Sequence, residues 1–230
     1  MHYGDALGRR NRRRRIHRER ELLKTEVGRF QSWADSYLPH QRCGEWECDY
    51  EEWSSIYQAV LGFVAACPFG SWSHDDARTV LYAIARDNEM EHLAGEIRRQ
   101  HPDLLVWLTH VSIAMGEPDD RWQLAAELGR LASEEAEQLL LQLAHDQDEY
   151  VRRKALSALA KLSSPAVEEL AVEAWHRPDP HQQWARMAAL SALQQIGSPR
   201  LEALLTEAER DPRKYLREFA ERVRRGDIDL

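Results

Sequence analysis

Apolar residues recur at three- and four-residue spacing along most of the chain. Leu23, Val27, Phe30, Ala34 and Tyr37 fall on one helical face, from Ile16 to the stop before Pro39. A loop around Cys43-Gly44-Glu45-Trp46 follows. Asp49 and Glu52 stand at capping-box spacing ahead of a helix that runs to about Cys67. Pro68-Phe69-Gly70 breaks it. Ser73 and Asp76 form a second capping signal, ahead of Val80, Leu81 and Ile84. Two more helices are predicted over 89–100 and 103–115, parted near Pro102, and Gly116-Glu117-Pro118 marks the next turn. Beyond it, helices are predicted near 121–132, 134–145, 149–162, 165–175, 182–196, 199–210 and 213–225. No stretch alternates with period two, so no sheet is expected. Short links between amphipathic helices imply antiparallel neighbours and an all-α fold.

The second half repeats itself. Ala155-Leu156-Ser157-Ala158-Leu159 returns 34 residues later as Ala189-Leu190-Ser191-Ala192-Leu193. At the same displacement Tyr150 becomes Trp184, Arg152 becomes Arg186, and Ser164-Pro165 becomes Ser198-Pro199. The Ser-Pro pair reads as an N-cap followed by proline at the first helical position. A weaker copy at a displacement of 31 holds Tyr215, Leu216, Arg217 and Ala220. Residues 121–145 fit a degenerate earlier copy, with Leu128, Leu131 and Ser133 in the places of Leu159, Leu162 and Ser164.

The run from Asp146 to Leu159 resembles a HEAT repeat: an acidic turn, then Val151-Arg152, then alanine and leucine at helical spacing. The resemblance covers about residues 119–225. It implies an α-solenoid of antiparallel helix pairs with further helices stacked at its N-terminal side. Acidic turns would cap the second helix of each pair, small alanines would allow close approach, and leucines would fill a continuous core. Leu156, Leu159, Leu190 and Leu193 are expected between the pairs. The organisation expected is a flexible basic arm over 1–15, a helical region over 16–118 and HEAT-like repeats over 119–230.

Charge changes the picture at the N-terminus. The net charge of the 230 residues is −8, but residues 1–29 balance at +6 and the remainder at −14. A basic arm on an acidic body suits nucleic acid or an acidic partner. No apolar run approaches the ~18 residues of a membrane span, and no apolar core follows the basic start as a secretory signal would require. Cys43, Cys48 and Cys67 are an odd number, which argues against a disulfide framework and for a cytoplasmic setting.

No phosphate loop, nucleophile elbow or His-Glu-x-x-His motif is present. His40, Cys43, Cys48 and Asp49 match no strong zinc spacing, and neither a metal nor a cofactor is expected. The candidate chemistry is recognition of a macromolecule. In HEAT arrays the second helix of each pair usually lines the concave face, so the resemblance places Tyr150, Arg152, Arg153, Trp184, Arg186, Arg213, Tyr215 and Arg217 there. Arg152, Arg186 and Arg217 are expected in register, with Arg152 or Arg186 tied to Asp146, Asp148 or Asp179. Arg153 and Arg213 have no such tie assigned and are the better ligand contacts. A second candidate surface is the acidic run with Glu45, Glu47 and Glu51, expected exposed and suited to a basic partner. The reading that follows is a protein-binding solenoid of adaptor or immunity type. The alternative is nucleic-acid binding of the kind found in HEAT-like alkylpurine DNA glycosylases, although no residue of their active site is matched here. A bilin-lyase-like role rests on the repeat alone.

Overall fold

The computed structural model describes residues 3–178 and 182–227. They form two compact units, Met1–Asp120 and Arg121–Leu230. Among the described residues there are twelve α-helices, three short 3-10 helices and no strand.

The first unit holds α1 (Tyr3–Ala34), α2 (Trp53–Ala66), α3 (His74–Arg86), α4 (His92–Gln100) and α5 (Pro102–Met115). The helix expected from Ile16 therefore starts at Tyr3 and takes in the arginine cluster, in keeping with arginine's high helix propensity. From Glu19 onward α1 packs on α2 and α3, burying Leu23, Val27, Phe30 and Ala34. The capping box expected of Asp49 and Glu52 does not form. Asp49 closes a 3-10 helix, Trp46–Asp49, and Glu52 is the N-cap of α2 without a side-chain bond. Ser73 and Asp76 do form theirs. The Ser73 hydroxyl accepts from the Asp76 N–H at 3.1 Å, and the Asp76 carboxylate accepts from the Ser73 N–H at 2.8 Å.

α6 (Pro118–Leu128) begins at the division between the units. The second unit continues with α7 (Glu134–Leu143), α8 (Glu149–Lys161), α9 (Val167–His176), α10 (Gln182–Gln195), α11 (Leu201–Ala208) and α12 (Lys214–Arg225). From α7 onward each helix packs on the next in sequence, and α10 also packs on α8 and α12, so α8, α10 and α12, the second helices of successive pairs, form one layer. Leu159, Leu190 and Leu193 are fully buried and Leu156 nearly so. Gly129 shows how tight the array is. A Cβ there would stand 2.7 Å from the Ala158 Cβ and 2.8 Å from its Cα. Small residues on both sides allow that approach.

The repeat extends to the helix ends. Ser163 and Gly197, 34 residues apart, both adopt positive φ (55° and 66°) after α8 and α10. The next N–H in each case reaches back five residues, Ser164 to the Leu159 carbonyl and Ser198 to that of Leu193. Ser164 and Ser198 then accept from the N–H groups of Ala166 and Arg200. They hold the turns ahead of α9 and α11, but the N-caps of these helices are Ala166 and Arg200 and not the expected serines, because the regular helices start later, at Val167 and Leu201. Leu159→Ala removes a fully buried leucine. It should lower unfolding free energy by about 2–5 kcal/mol; a loss under about 1 kcal/mol in a urea titration would refute continuous packing between the pairs.

Candidate functional site

The aromatic position of the repeat faces outward in all three copies. Tyr150 is 36% exposed, Trp184 41% and Tyr215 63%, and they stand at the starts of α8, α10 and α12. Trp184 is the exposed one among the eight tryptophans; the others are buried or half-buried. Tyr150 is not isolated. Its ring meets the buried Trp122 edge-on at 5.2 Å. The Arg153 guanidinium lies 4.6 Å from the centre of the Tyr150 ring, and the Lys154 ammonium 4.8 Å from that of Trp122. Two cations over two rings give one side of this surface a combined aromatic and basic character. Trp122 and Lys154 add to the eight residues named for this face.

The register arginines hold the scaffold. Arg152 donates to the carbonyls of Asp146 (2.8 Å) and Gln147 (2.7 Å). Arg217 makes the equivalent bond to the Asp211 carbonyl, six residues back, at 2.7 Å. Arg186 reaches across repeats instead. Its Nε donates to the Trp175 carbonyl (3.1 Å) and its Nη1 to the Asp211 carboxylate (2.8 Å), with the guanidinium 4.7 Å from the centre of the buried Trp175 ring. Arg121 does the same two pairs earlier, donating to the Asp146 carboxylate at 2.8 Å across the same separation of 25 residues. The expected tie to an acidic turn is present, but through Asp211 for Arg186 and through backbone carbonyls for Arg152. Asp179 lies outside the described residues. Arg121 stands 31 residues before Arg152, as Arg186 does before Arg217, so its role was readable by extending the repeat alignment.

Arg153 and Arg213, expected to be uncommitted, are engaged. Arg153 pairs with Glu149 one helical turn away at 2.6 Å. Arg213 clamps Asp211 with Nε (2.7 Å) and Nη2 (2.6 Å). Asp211 thus receives Arg213 first and Arg186 second. These cations hold its carboxyl down at about 2, against the penalty of its burial. A carboxyl depressed below its unfolded value of about 3.9 contributes stability above that pH and loses it on acidification through about 2. The gap in unfolding free energy between wild type and Asp211→Asn should be roughly 1–2 kcal/mol at pH 6 and close as pH falls from about 4 to about 2. A gap independent of pH in that window would contradict the assignment.

The acidic loop divides. Glu45 and Glu51 are exposed, as expected. Glu47 is only 3% exposed, which corrects the expectation that the whole run meets solvent. Burial pushes its carboxyl above the usual range, partly offset by the Arg86 guanidinium 3.9 Å away. The backbone carbonyl of Glu47 accepts from the Trp53 indole at 2.8 Å. The 3-10 helix turns this one member of the run inward, beside a ring cluster in which Trp33 and Trp46 stack at 5.5 Å. Glu47 therefore belongs to the fold of the first unit, and only its neighbours remain available to a partner.

A cleft among α7, α8, α9 and α10 is lined by Glu149, Arg152, Arg153, Leu156, Glu173 and Arg177. Its volume, about 30 Å³, is far below the 300–1,000 Å³ typical of a small-molecule site. Among the described residues no helix is long and apolar enough to cross a membrane. Residues 107–181 match the family of HEAT repeats. No curated protein matches the chain.

Proposed function

We propose, from the premise that residues 107–181 are HEAT repeats, that the protein binds a protein partner through the outward aromatic row of α8, α10 and α12. The observation that carries this reading is the recurrence of exposed Tyr150, Trp184 and Tyr215 at one repeat position. A scaffold does not need large rings in water at a position where its arginines already hold the turns. Exposed Trp and Tyr beside arginine are the residue types that anchor interfaces. Arg152, Arg186 and Arg217 act beneath the row as supports, and Arg153, Arg213 and Lys154 give it a basic border. In this reading the row lies on the concave face of the array, and the chain serves as an adaptor or immunity-type protein rather than an enzyme. Glu45 and Glu51 are the second contact surface, for a basic partner.

The test is affinity capture from the native host with wild type and a Tyr150→Ala/Trp184→Ala variant, followed by titration of the recovered partner. Each substitution should weaken binding by roughly tenfold or more, with the melting temperature within a few degrees of wild type. A partner held equally well by the variant refutes the surface. Release of bases from alkylated DNA by the purified protein would replace this reading with the glycosylase alternative.

A further inference from the structure

Between residues 10 and 18, α1 carries Arg10, Arg12, Arg13, Arg14, Arg15 and Arg18 and no acidic residue. All six are exposed. Arg18 folds onto Glu19 at 2.6 Å, and among the described residues no ion pair engages the other five. Among the described residues the buried face of α1 begins at Glu19. Residues 10–18 are therefore two and a half turns of helix extending past the packed part, with positive charge in excess.

The arrangement of the charge narrows the partner. At 100° per residue, Arg12, Arg13, Arg14 and Arg15 point to four successive quarters around the axis. A membrane-surface helix needs an apolar face, and Ile16 is the sole aliphatic residue in the stretch. A flat acidic protein surface would meet one side and leave the others unmatched. A nucleic-acid groove presents phosphates on both flanks of a helix lying in it. An α-helix with its side chains is about 10–12 Å across, and the B-DNA major groove is about 12 Å wide. The major groove of an A-form duplex is too narrow for that entry. Like-charged neighbours three and four apart, such as Arg10 and Arg14 or Arg12 and Arg15, repel one another in the free helix. Phosphates on either side would relieve that repulsion. We infer that residues 10–18 of α1 form a docking element that lies in the major groove of duplex DNA and holds it by its phosphates, without reading sequence. The balance of −14 over residues 30–230 repels DNA and confines the contact to this segment. The inference is independent of the aromatic row.

Fluorescence anisotropy of a labelled mixed-sequence duplex of roughly 20 base pairs, titrated with the full chain, tests it. Five to six phosphate contacts give a log–log salt slope of about −4.5 to −5.5, a loss of roughly 500- to 2,000-fold in affinity between about 50 and 200 mM salt. The quadruple variant Arg12→Gln/Arg13→Gln/Arg14→Gln/Arg15→Gln changes exposed side chains only, so its melting temperature should match wild type. It should bind at least about 50-fold more weakly at low salt, with the slope reduced by about 3 to 4. Amide exchange over residues 10–18 should slow when DNA is added. The inference is overturned if the wild type does not bind at about 50 mM salt or if the variant binds within about threefold of it. Tighter binding to an RNA duplex of the same sequence, or to phosphatidylserine vesicles, overturns it as well.

Discussion

Trp175→Ala is expected to lower the unfolding free energy of the second unit by about 3–5 kcal/mol. Trp175 is among the largest fully buried side chains, at 1% exposure. Removing the indole leaves a cavity in α9, takes away the ring against which the Arg186 guanidinium lies, and deprives Glu207 of the donor it meets at 2.9 Å. Trp175→Phe separates these effects. It keeps an aromatic ring and should recover much of the loss, leaving the missing hydrogen bond and the smaller volume at about 1–2 kcal/mol. With domain stabilities of about 5–15 kcal/mol, the alanine variant should unfold at clearly lower urea. A loss under about 1.5 kcal/mol would mean that the array collapses into the vacated space and that Trp175 does not set its spacing. The same variant also tests the surface above it, since Arg186 supports the helix that carries Trp184.

Asp76→Ala should have an effect of the same size in the first unit. The carboxylate is fully buried and does two things at once. One oxygen closes the capping box at the start of α3, and the other accepts the Arg20 Nε of α1 at 2.9 Å, across 56 residues. Burial opposes its ionised form, yet the Ser73 backbone N–H, Arg20 and the Ser73 hydroxyl outweigh this and hold its pKa below the usual carboxylate range. Truncation loses a cap worth about 1 kcal/mol and strands a partly buried guanidinium that also lies 5.7 Å from the centre of the Phe63 ring. The combined loss is about 3–5 kcal/mol. Ser73→Ala removes the hydroxyl half of the box alone and should cost only about 1 kcal/mol. Equal losses for the two variants in thermal unfolding would show that the link from Arg20 to Asp76 contributes nothing.

The two carboxylates, Asp76 and Asp211, show where sequence reading reaches and where it stops. The capping half of Asp76 was legible, because the Ser73 to Asp76 spacing is a local rule. Its second bond, to Arg20, was not, since nothing in the intervening 56 residues encodes which helix will lie alongside. The same holds for Asp211. Asp211-Pro212 is a turn dipeptide that the sequence shows by itself, but the capture of Arg186 from the previous pair required the pairs to be stacked. Repeat alignment found Arg152, Arg186 and Arg217 as equivalents and did not distinguish their bonds, because a shared position fixes direction and not the acceptor that the neighbouring turn supplies.

Glu47 marks the opposite limit. Its neighbours Glu45, Asp49 and Glu51 are exposed, and a run of acids in a loop reads as solvated. A four-residue 3-10 helix turned this one carboxylate inward, a decision made by the packing of Trp46, Tyr50 and Trp53 around Phe30. The outward aspect of Tyr150, Trp184 and Tyr215 was likewise decided by packing. Periodicity put them at one position of the repeat, and whether that position faced core or solvent depended on the neighbouring helix. The sequence by itself determined the helices of the second unit, their pairing and their leucine core, because helical periodicity, caps and a 34-residue displacement act over a few turns of chain. Tertiary structure alone decided which charges are joined between helices, Arg186 to Asp211 and Arg20 to Asp76, because those bonds close over 25 and 56 residues and exist only once the helices are side by side.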